Sequence, residues 1–223
     1  MSDEVVPDAV AQLAGAIGPE PDGIVEAMDK RADEEGFPTV GPEVGAWLSV
    51  LARTTGAERI FEFGSGFGYS AYWFARGLGA DGEVVLTEID EGELDDARAY
   101  FERAGIADRA QFEHGDAIEI VEDYDGPFDI VLIDNEKERY AEALRAVEGK
   151  LRPGSLVLAD NAVTAGIIDR DDVLALVDGE SVPDASDASR GIAEYLGSVR
   201  DHERLETALL PLGEGVAVSV VTE

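Results

Sequence analysis

The stretch FEFGSGFGYSA, residues 61–71, places Gly64, Gly66 and Gly68 directly after an apolar run and before a helical pattern. At such a strand-to-helix turn, glycines let backbone N–H groups approach a ligand. The dinucleotide pattern G-x-G-x-x-G fails, because Tyr69 stands where its third glycine belongs. Glycines also occupy such turns for purely structural reasons, since the backbone often takes positive φ there.

The next strand-like run, VVLTEID at residues 84–90, contains an acid, Glu88, about 20 residues after the glycines. A carboxylate at this spacing commonly binds a ribose diol in doubly wound sheets. The glycine turn and Glu88 together therefore predict a site for a nucleotide-like cofactor.

Runs of strand length alternate with helical patterns along most of the chain. The runs are RIFEF, EVVLTEI, AQFEH, FDIVLID and GSLVLAD, and helical patterns such as ELDDARAYFERAG lie between most of them. The last two runs, LETALLP and GVAVSVVT, are separated only by LGE, which is too short for a crossover and predicts a hairpin. The predicted fold class is α/β, a doubly wound, mostly parallel seven-stranded sheet with helices on both faces and an antiparallel last strand.

The 223 residues fit one domain preceded by an arm. We predict a helical arm over residues 1–40, ending in GFPTVGPE, where Gly and Pro break the pattern, and a single domain over residues 41–223. After this break, Val44, Trp47 and Leu48 have the spacing of one helix face, which predicts a helix packed on the domain.

The formal net charge of −32 indicates an acidic shell on a folded protein, because the hydrophobic content of 45% is that of a globular domain. Only three of the 17 basic residues are Lys, which together with the acid excess suggests a halophilic, high-salt setting. The absence of Cys excludes disulfides and thiolate metal sites. We expect a cytoplasmic protein without a membrane segment, and the charge disfavours nucleic acid as a partner.

The acidic charge is uneven along the chain. Residues 41–80 contain three acids and three bases, whereas residues 81–120 contain thirteen acids and three bases. The electrically neutral segment includes the glycine turn, so we expect a site there.

Oxygen-bearing side chains follow two neighbouring predicted strands. Asp134 closes FDIVLID, and Asp160 with Asn161 closes GSLVLADN. The carboxyl ends of strands are where open α/β sheets bind ligands. Two carboxylates and an amide, without Cys or a nearby His, suit a hard cation such as Mg²⁺ rather than Zn²⁺. Any one of these acids alone could equally be a helix cap or a solvated loop residue.

The motif FEFGSGFGYSA resembles the first motif of class I S-adenosylmethionine-dependent methyltransferases, E-x-G-x-x-x-G-Y-S. The resemblance narrows to the metal-dependent O-methyltransferases, the group of catechol and caffeoyl-coenzyme A O-methyltransferases. It covers about residues 38–222, through VGPEVGAWL, LIDNEKERY, LVLADNAV and LLPLGEGVAVSV. It implies a Rossmann-like methyltransferase fold and a homodimer.

The resemblance also implies roles for individual residues. The metal ligands, for Mg²⁺ or Ca²⁺, would be Asp134, Asp160 and Asn161, and Lys137 would accept or hydrogen-bond the proton that leaves the acceptor. Contacts to S-adenosylmethionine would come from Val40, Glu62, Gly64, Gly66, Gly68, Ser70, Glu88, Asp116, Ala117 and Asp134.

Lys137 lies among acids, in a chain that contains only Lys30 and Lys150 besides it. The alternative to a catalytic role is a surface lysine paired with a neighbouring acid, a pair worth under about 1 kcal/mol. We favour the catalytic role because so lysine-poor a chain retains this one, and because lysine shifts its pKa more readily than arginine.

Two departures from the animal catechol enzymes concern the acceptor. Glu136 stands where those enzymes carry a tryptophan, and the acid that they have near the final strand is replaced by the small or apolar residues of GVAVSVV. The predicted function is therefore divalent-metal-dependent methylation of a hydroxyl on a catechol-like or coenzyme A-linked phenolic small molecule. The alternatives are methylation of a modified tRNA base and a non-catalytic cofactor-binding domain.

Overall fold

Helices and strands alternate along the part of the chain that the computed structural model describes, residues 8–164, 166 and 168–223. The helices are α1 (Asp8–Ile17), α2 (Gly23–Glu35), α3 (Gly41–Thr55), α4 (Tyr69–Gly77), α5 (Glu91–Ala104), α6 (Ala117–Ile120), α7 (Tyr140–Val147), α8 (Arg170–Val177) and α9 (Asp187–Arg200). The strands are β1 (Arg59–Phe63), β2 (Glu83–Glu88), β3 (Ala110–His114), β4 (Phe128–Ile133), β5 (Leu151–Ala159), β6 (Leu205–Leu210) and β7 (Val216–Val221).

The seven strands form one sheet in the order β3-β2-β1-β4-β5-β7-β6. The first five are parallel, and β7 runs antiparallel between β5 and β6. The predicted fold class is confirmed, including the antiparallel last strand. The strand order reverses between β1 and β4, which is the switch point where open α/β sheets bind ligands.

Alternation along the strands divides the core into two layers. Ile60 and Leu132 face a layer that contains Trp73 of α4 and Phe101 of α5. Their neighbours Phe61, Val131 and Ile133 face a second layer that contains Tyr140 of α7 and Tyr195 of α9. Because successive strand side chains point to opposite faces, near-continuous apolar strands are buried on both sides.

The predicted N-terminal arm contains α1 and α2, and residues 1–7 of it lie outside the described residues. Helix α2 is tied to the domain, because Tyr69 donates a hydrogen bond to Asp29 over 2.6 Å and Met28 is fully buried. The boundary at residue 40 stays a prediction. Within the described residues, no helix combines the length and the apolar character needed to cross a membrane.

Helix α3 forms as predicted, but its inner face differs from the expected one. Val44 and Leu48 are buried, whereas Trp47 is 42% exposed. The spacing alone cannot tell the centre of a helix face from its edge, and the expectation that Trp47 packs inward is wrong.

Candidate active site

A cavity of about 660 Å³ opens at the carboxyl edge of the sheet, at the switch point between β1 and β4. This volume lies in the usual range for small-ligand sites. It is lined by the α2–α3 connection from Phe37 to Val40, the glycine turn, the ends of β2 and β3, the loops after β4 and β5, and the turn before β7. The predicted cofactor residues that line it are Val40, Gly64, Gly66, Ser70, Glu88, Asp116, Ala117 and Asp134.

The glycine turn has a backbone that other residues would not adopt without strain. Gly64 has φ of +79°, and a Cβ there would lie 2.7 Å from the carbonyl oxygen of Asp134. Gly66 has φ of +48°, and its Cβ would lie 2.7 Å from the ring of Phe37. The turn therefore packs against the loop after β4 on one side and the α2–α3 connection on the other, which no larger residue would permit.

Glu88 at the end of β2 holds this turn in place. Its Oε2 accepts the main-chain N–H of Gly66 at 2.8 Å, and its Oε1 accepts those of Ile89 and Asp90 at 2.8 and 3.0 Å. A carboxylate has lone pairs for more than one donor on each oxygen, so these bonds leave capacity for a ligand hydroxyl.

Two predicted cofactor residues lie beside the cavity instead of lining it. Gly68 faces α5, because a Cβ on it would lie 2.9 Å from that of Ala97. Glu62 is fully buried, accepts a hydrogen bond from Ser70, and has a second oxygen without a partner among the described residues. Burial raises the pKa of Glu62 to about 8, although the Ser70 hydroxyl acts in the opposite direction.

Asp134 and Asp160 lie side by side, because β4 and β5 pair in parallel with Ile133 opposite Ala159. Both line the cavity, together with Asn161. Burial raises the pKa of both carboxyl groups, and the charge of Asp134 raises that of Asp160 further. The backbone thus brings two carboxylates together in a poorly solvated place, where a cation would relieve their repulsion.

The predicted donors fit a hard cation. Asp160 is only 4% exposed, and its Oδ1 has no hydrogen-bond partner among the described residues. No group of three or more His, Cys, Asp or Glu side chains in the described part of the chain is arranged to hold a metal ion. The predicted set has two carboxylates and takes its third donor from the Asn161 amide, a combination of oxygen ligands suited to Mg²⁺ or Ca²⁺.

Lys137 begins a short 3₁₀ turn after β4 and lines the cavity. Its Nζ donates to Asp134 Oδ1 at 2.8 Å, to the Asn135 carbonyl at 3.3 Å and to the Tyr140 hydroxyl at 2.7 Å. Three acceptors match the three protons of an ammonium group. Lys137 is therefore turned back onto Asp134, and its contact with an acceptor stays a prediction.

Tyr140, at the start of α7, was not predicted as a site residue. Its hydroxyl lies 3.3 Å from Asp134 Oδ1 and 3.2 Å from the carbonyl oxygen of Asp160, and its single proton can serve one of them at a time. It bridges the two strand ends. The signal in the sequence was its place three residues after Lys137, which puts both on one face of a turn.

Arg139 also lines the cavity and was not predicted. It donates to Asp116 at 2.8 Å and to Glu142 at 2.9 Å. Although burial alone would raise the pKa of Asp116, the bond from Arg139 lowers it. Asp116 also caps α6 by accepting the N–H of Ile118 at 2.9 Å, so its carboxylate is held in one orientation.

Glu214 is a further cavity residue that was not predicted. It lies in the turn before β7, lines the cavity, and accepts a hydrogen bond from Asn161 Nδ2. The signal was the acid between two glycines in LGEG, next to a strand that pairs with β5.

Comparisons with known proteins identify the family of this chain. A family model described as O-methyltransferase matches residues 22–221. A relative named catechol O-methyltransferase, from Niastella koreensis, is 32% identical over 186 residues, which cover 80% of this chain and 84% of that protein.

Solved structures are similar over nearly the whole chain. The O-methyltransferase from Bacillus cereus in complex with SAH aligns with a TM-score of 0.82 at 28% identity, covering 96% of this chain and 97% of the other. The O-methyltransferase TomG from Streptomyces achromogenes, solved in complex with SAM, aligns with a TM-score of 0.84 over both complete chains. At 24% identity, that second likeness concerns the fold alone.

Proposed function

The chain belongs to the O-methyltransferase family, and we propose that it transfers a methyl group from S-adenosylmethionine to a hydroxyl of a catechol-like small molecule with the help of a divalent cation. The observation that carries the proposal is the convergence, in one cavity at the switch point, of the glycine turn with Asp134, Asp160 and Asn161. The turn suits the cofactor and the three oxygen donors suit the cation.

The cofactor end of the cavity would bind S-adenosylmethionine, which supplies a methyl group on positively charged sulfur. The methionine part would contact Val40, the glycine turn and Ser70, whose hydroxyl is held by the buried Glu62. Glu88 would accept a ribose hydroxyl, and Asp116 with Ala117 would contact the adenine. Because Glu88 and Asp116 are already held by protein donors, little ordering remains for binding.

At the other end, Asp134, Asp160 and Asn161 would hold Mg²⁺ or Ca²⁺, which lowers the pKa of a coordinated hydroxyl. Lys137 and Tyr140 hold Asp134 by hydrogen bonds, which keeps its carboxylate in one orientation. Lys137 would also hydrogen-bond the acceptor oxygen. To do so, its Nζ would have to exchange one of its three present partners, Asp134, Asn135 or Tyr140, for the acceptor oxygen.

The charges around the cavity favour a small acceptor over a coenzyme A-linked one. Lys137 and Arg139 are the cationic side chains in the lining, and each forms an ion pair, with Asp134 and with Asp116. The phosphates of coenzyme A would therefore meet carboxylates without a free cation in the described lining. The same argument disfavours a tRNA acceptor.

We also propose that the protein is a homodimer in a high-salt cytoplasm. Apolar side chains are exposed on α1, namely Val10, Leu13 and Ile17, and on α3, namely Trp47 and Val50. On a surface with so much negative charge, an apolar patch is a candidate contact between subunits. Light scattering in concentrated KCl tests the dimer.

The test of the proposed function uses the purified protein in concentrated KCl with labelled S-adenosylmethionine. We expect methyl transfer to catechol, loss of transfer in EDTA and recovery with excess Mg²⁺ or Ca²⁺. A coenzyme A-linked phenol and bulk tRNA are the competing acceptors. Full activity in EDTA would contradict the proposed dependence on a divalent cation. Binding of the cofactor in calorimetry, without methyl transfer to any acceptor, would indicate a non-catalytic domain.

A further inference from the structure

The turn between β6 and β7 is hydrogen-bonded to the loop that follows β5. The main-chain N–H of Ala162 donates to the carbonyl of Gly215 at 2.8 Å, and those of Val163 and Thr164 donate to the carbonyl of Glu214 at 3.2 and 3.0 Å. Three main-chain bonds thus connect the final hairpin to the segment that begins with Asn161. The hairpin closes the sheet and also supports one wall of the cavity.

Asn161 occupies an unusual backbone conformation at this junction. Its φ of +54° lies in the left-handed region, and it is the one non-glycine residue with positive φ among those described. Such a conformation persists only where surrounding contacts hold it, and it is often found at functional sites. The side-chain contact that holds it is the hydrogen bond from Nδ2 to Glu214.

The carboxylate of Glu214 determines whether the nitrogen or the oxygen of the Asn161 amide faces it. An ionised carboxylate only accepts hydrogen bonds, so the Asn161 amide can meet Glu214 only with its NH₂ group. The amide oxygen then lies on the other side of the group. Glu214 is exposed, yet its carboxylate lines the cavity and engages Asn161 instead of extending into solvent like an ordinary surface acid.

We propose that Glu214 is a positioning residue that holds the Asn161 amide so that its oxygen, and not its nitrogen, is presented to the divalent cation. This inference rests on the proposed function, in which Asn161 supplies one ligand. Replacing a residue that hydrogen-bonds a metal ligand and fixes its orientation commonly changes metal affinity 10- to 100-fold.

The test compares Glu214→Gln, Glu214→Asp and Glu206→Gln. Gln keeps the shape of Glu but can donate as well as accept, so either orientation of the Asn161 amide is satisfied. Asp keeps an acceptor-only carboxylate on a shorter stem. Glu206 is exposed on β6, outside the cavity lining, and its replacement by Gln removes one negative charge as the Glu214 variant does.

Mn²⁺ affinity is measured by electron paramagnetic resonance on protein saturated with S-adenosylhomocysteine (SAH). SAH affinity is measured by calorimetry, and folding is measured by thermal melting in EDTA. We expect Glu214→Gln to weaken Mn²⁺ binding about 10-fold or more, with SAH affinity and melting unchanged. Glu214→Asp should weaken it less, and Glu206→Gln should match the wild type.

Two outcomes would overturn the inference, and they differ in what else they overturn. Equal Mn²⁺ affinity in the wild type and Glu214→Gln removes the role of Glu214 and leaves the proposed metal site intact. A wild type that binds SAH but no Mn²⁺ removes both the metal site and the positioning role.

Discussion

The two ends of β4 carry aspartates whose pKa values are shifted in opposite directions. Near the amino end, Asp129 accepts the main-chain N–H groups of Glu58 and Arg59 at 2.8 and 3.0 Å, and it also pairs with Arg152. Burial alone would raise the pKa of Asp129, but these donors lower it. Just beyond the carboxyl end, burial raises the pKa of Asp134 despite the nearby Lys137.

The difference is in what satisfies each negative charge. At the amino end, protein donors surround the carboxylate, so its charge stabilises the fold. At the carboxyl end, burial and the charge of Asp134 raise the pKa of Asp160, and Asp160 keeps an oxygen without a partner among the described residues. Carboxylates held together with too few donors lower the stability of the empty protein, and they are typical of functional sites.

Asp160→Asn tests this difference most strongly. Burial and the charge of Asp134 raise the pKa of Asp160 to about 8, so above the ordinary pKa of 3.8 this carboxyl group lowers the stability of the empty protein. Asn has no carboxyl group to ionise and should stabilise the protein in EDTA, while the loss of a ligand oxygen should reduce methyl transfer on the order of 10³-fold, because a bound cation contributes several kcal/mol to the transition state. The measurements are thermal melting in EDTA and turnover with Mg²⁺. A lower melting temperature would show that the carboxyl end is stabilised by its charges, like the amino end.

The site residues at the carboxyl ends of the strands were predictable where each one directly follows its own strand in the sequence. The glycine turn, Asp134 and Asp160 each follow an apolar run directly, and the parallel sheet brings such ends together. Glu214 could not be placed in the same way, because its contact with Asn161 joins residues 53 positions apart and depends on how the final hairpin packs.

The state of each carboxylate was less predictable than its position. Nothing in the sequence distinguishes the carboxyl group of Asp129 from that of Asp134, five residues later, because hydrogen-bond donors from other segments decide their pKa values. The same holds for Glu62, whose burial beneath the turn follows from the packing of Ser70 on α4.

Gly191 offers a second test, because α9 packs there against the loop that follows the carboxyl end of β4. A Cβ on this residue of α9 would lie 2.4 Å from the carbonyl oxygen of Lys137 and 2.5 Å from the Cα of Glu138. Gly191→Ala should therefore displace Lys137 and reduce turnover about 10- to 100-fold, since a shift of about 1 Å can cost that much. SAH affinity, measured by calorimetry, should change little.

The matched control for this variant is Gly197→Ala in the same helix. A Cβ at position 197 would meet no atom within 4 Å, so Ala should stabilise α9 by roughly 0.5–1 kcal/mol without loss of turnover. If both variants turn over at the wild-type rate, close packing of α9 is not what holds Lys137.

Asp129→Asn tests the amino end and should give the smallest effect on the enzyme. It removes the charge that the amides of Glu58 and Arg59 bind, so at pH 7 the free energy of unfolding should fall by about 1–3 kcal/mol with turnover unchanged. The folded pKa of Asp129 lies below its ordinary value of 3.8, so this stabilisation is present above about pH 4 and is lost as the pH falls through the folded pKa. Urea titrations of wild type and variant should therefore converge at acid pH. A difference that persists there would mean that the side chain stabilises the fold by packing, and that the contrast between the two ends of β4 is not one of charge.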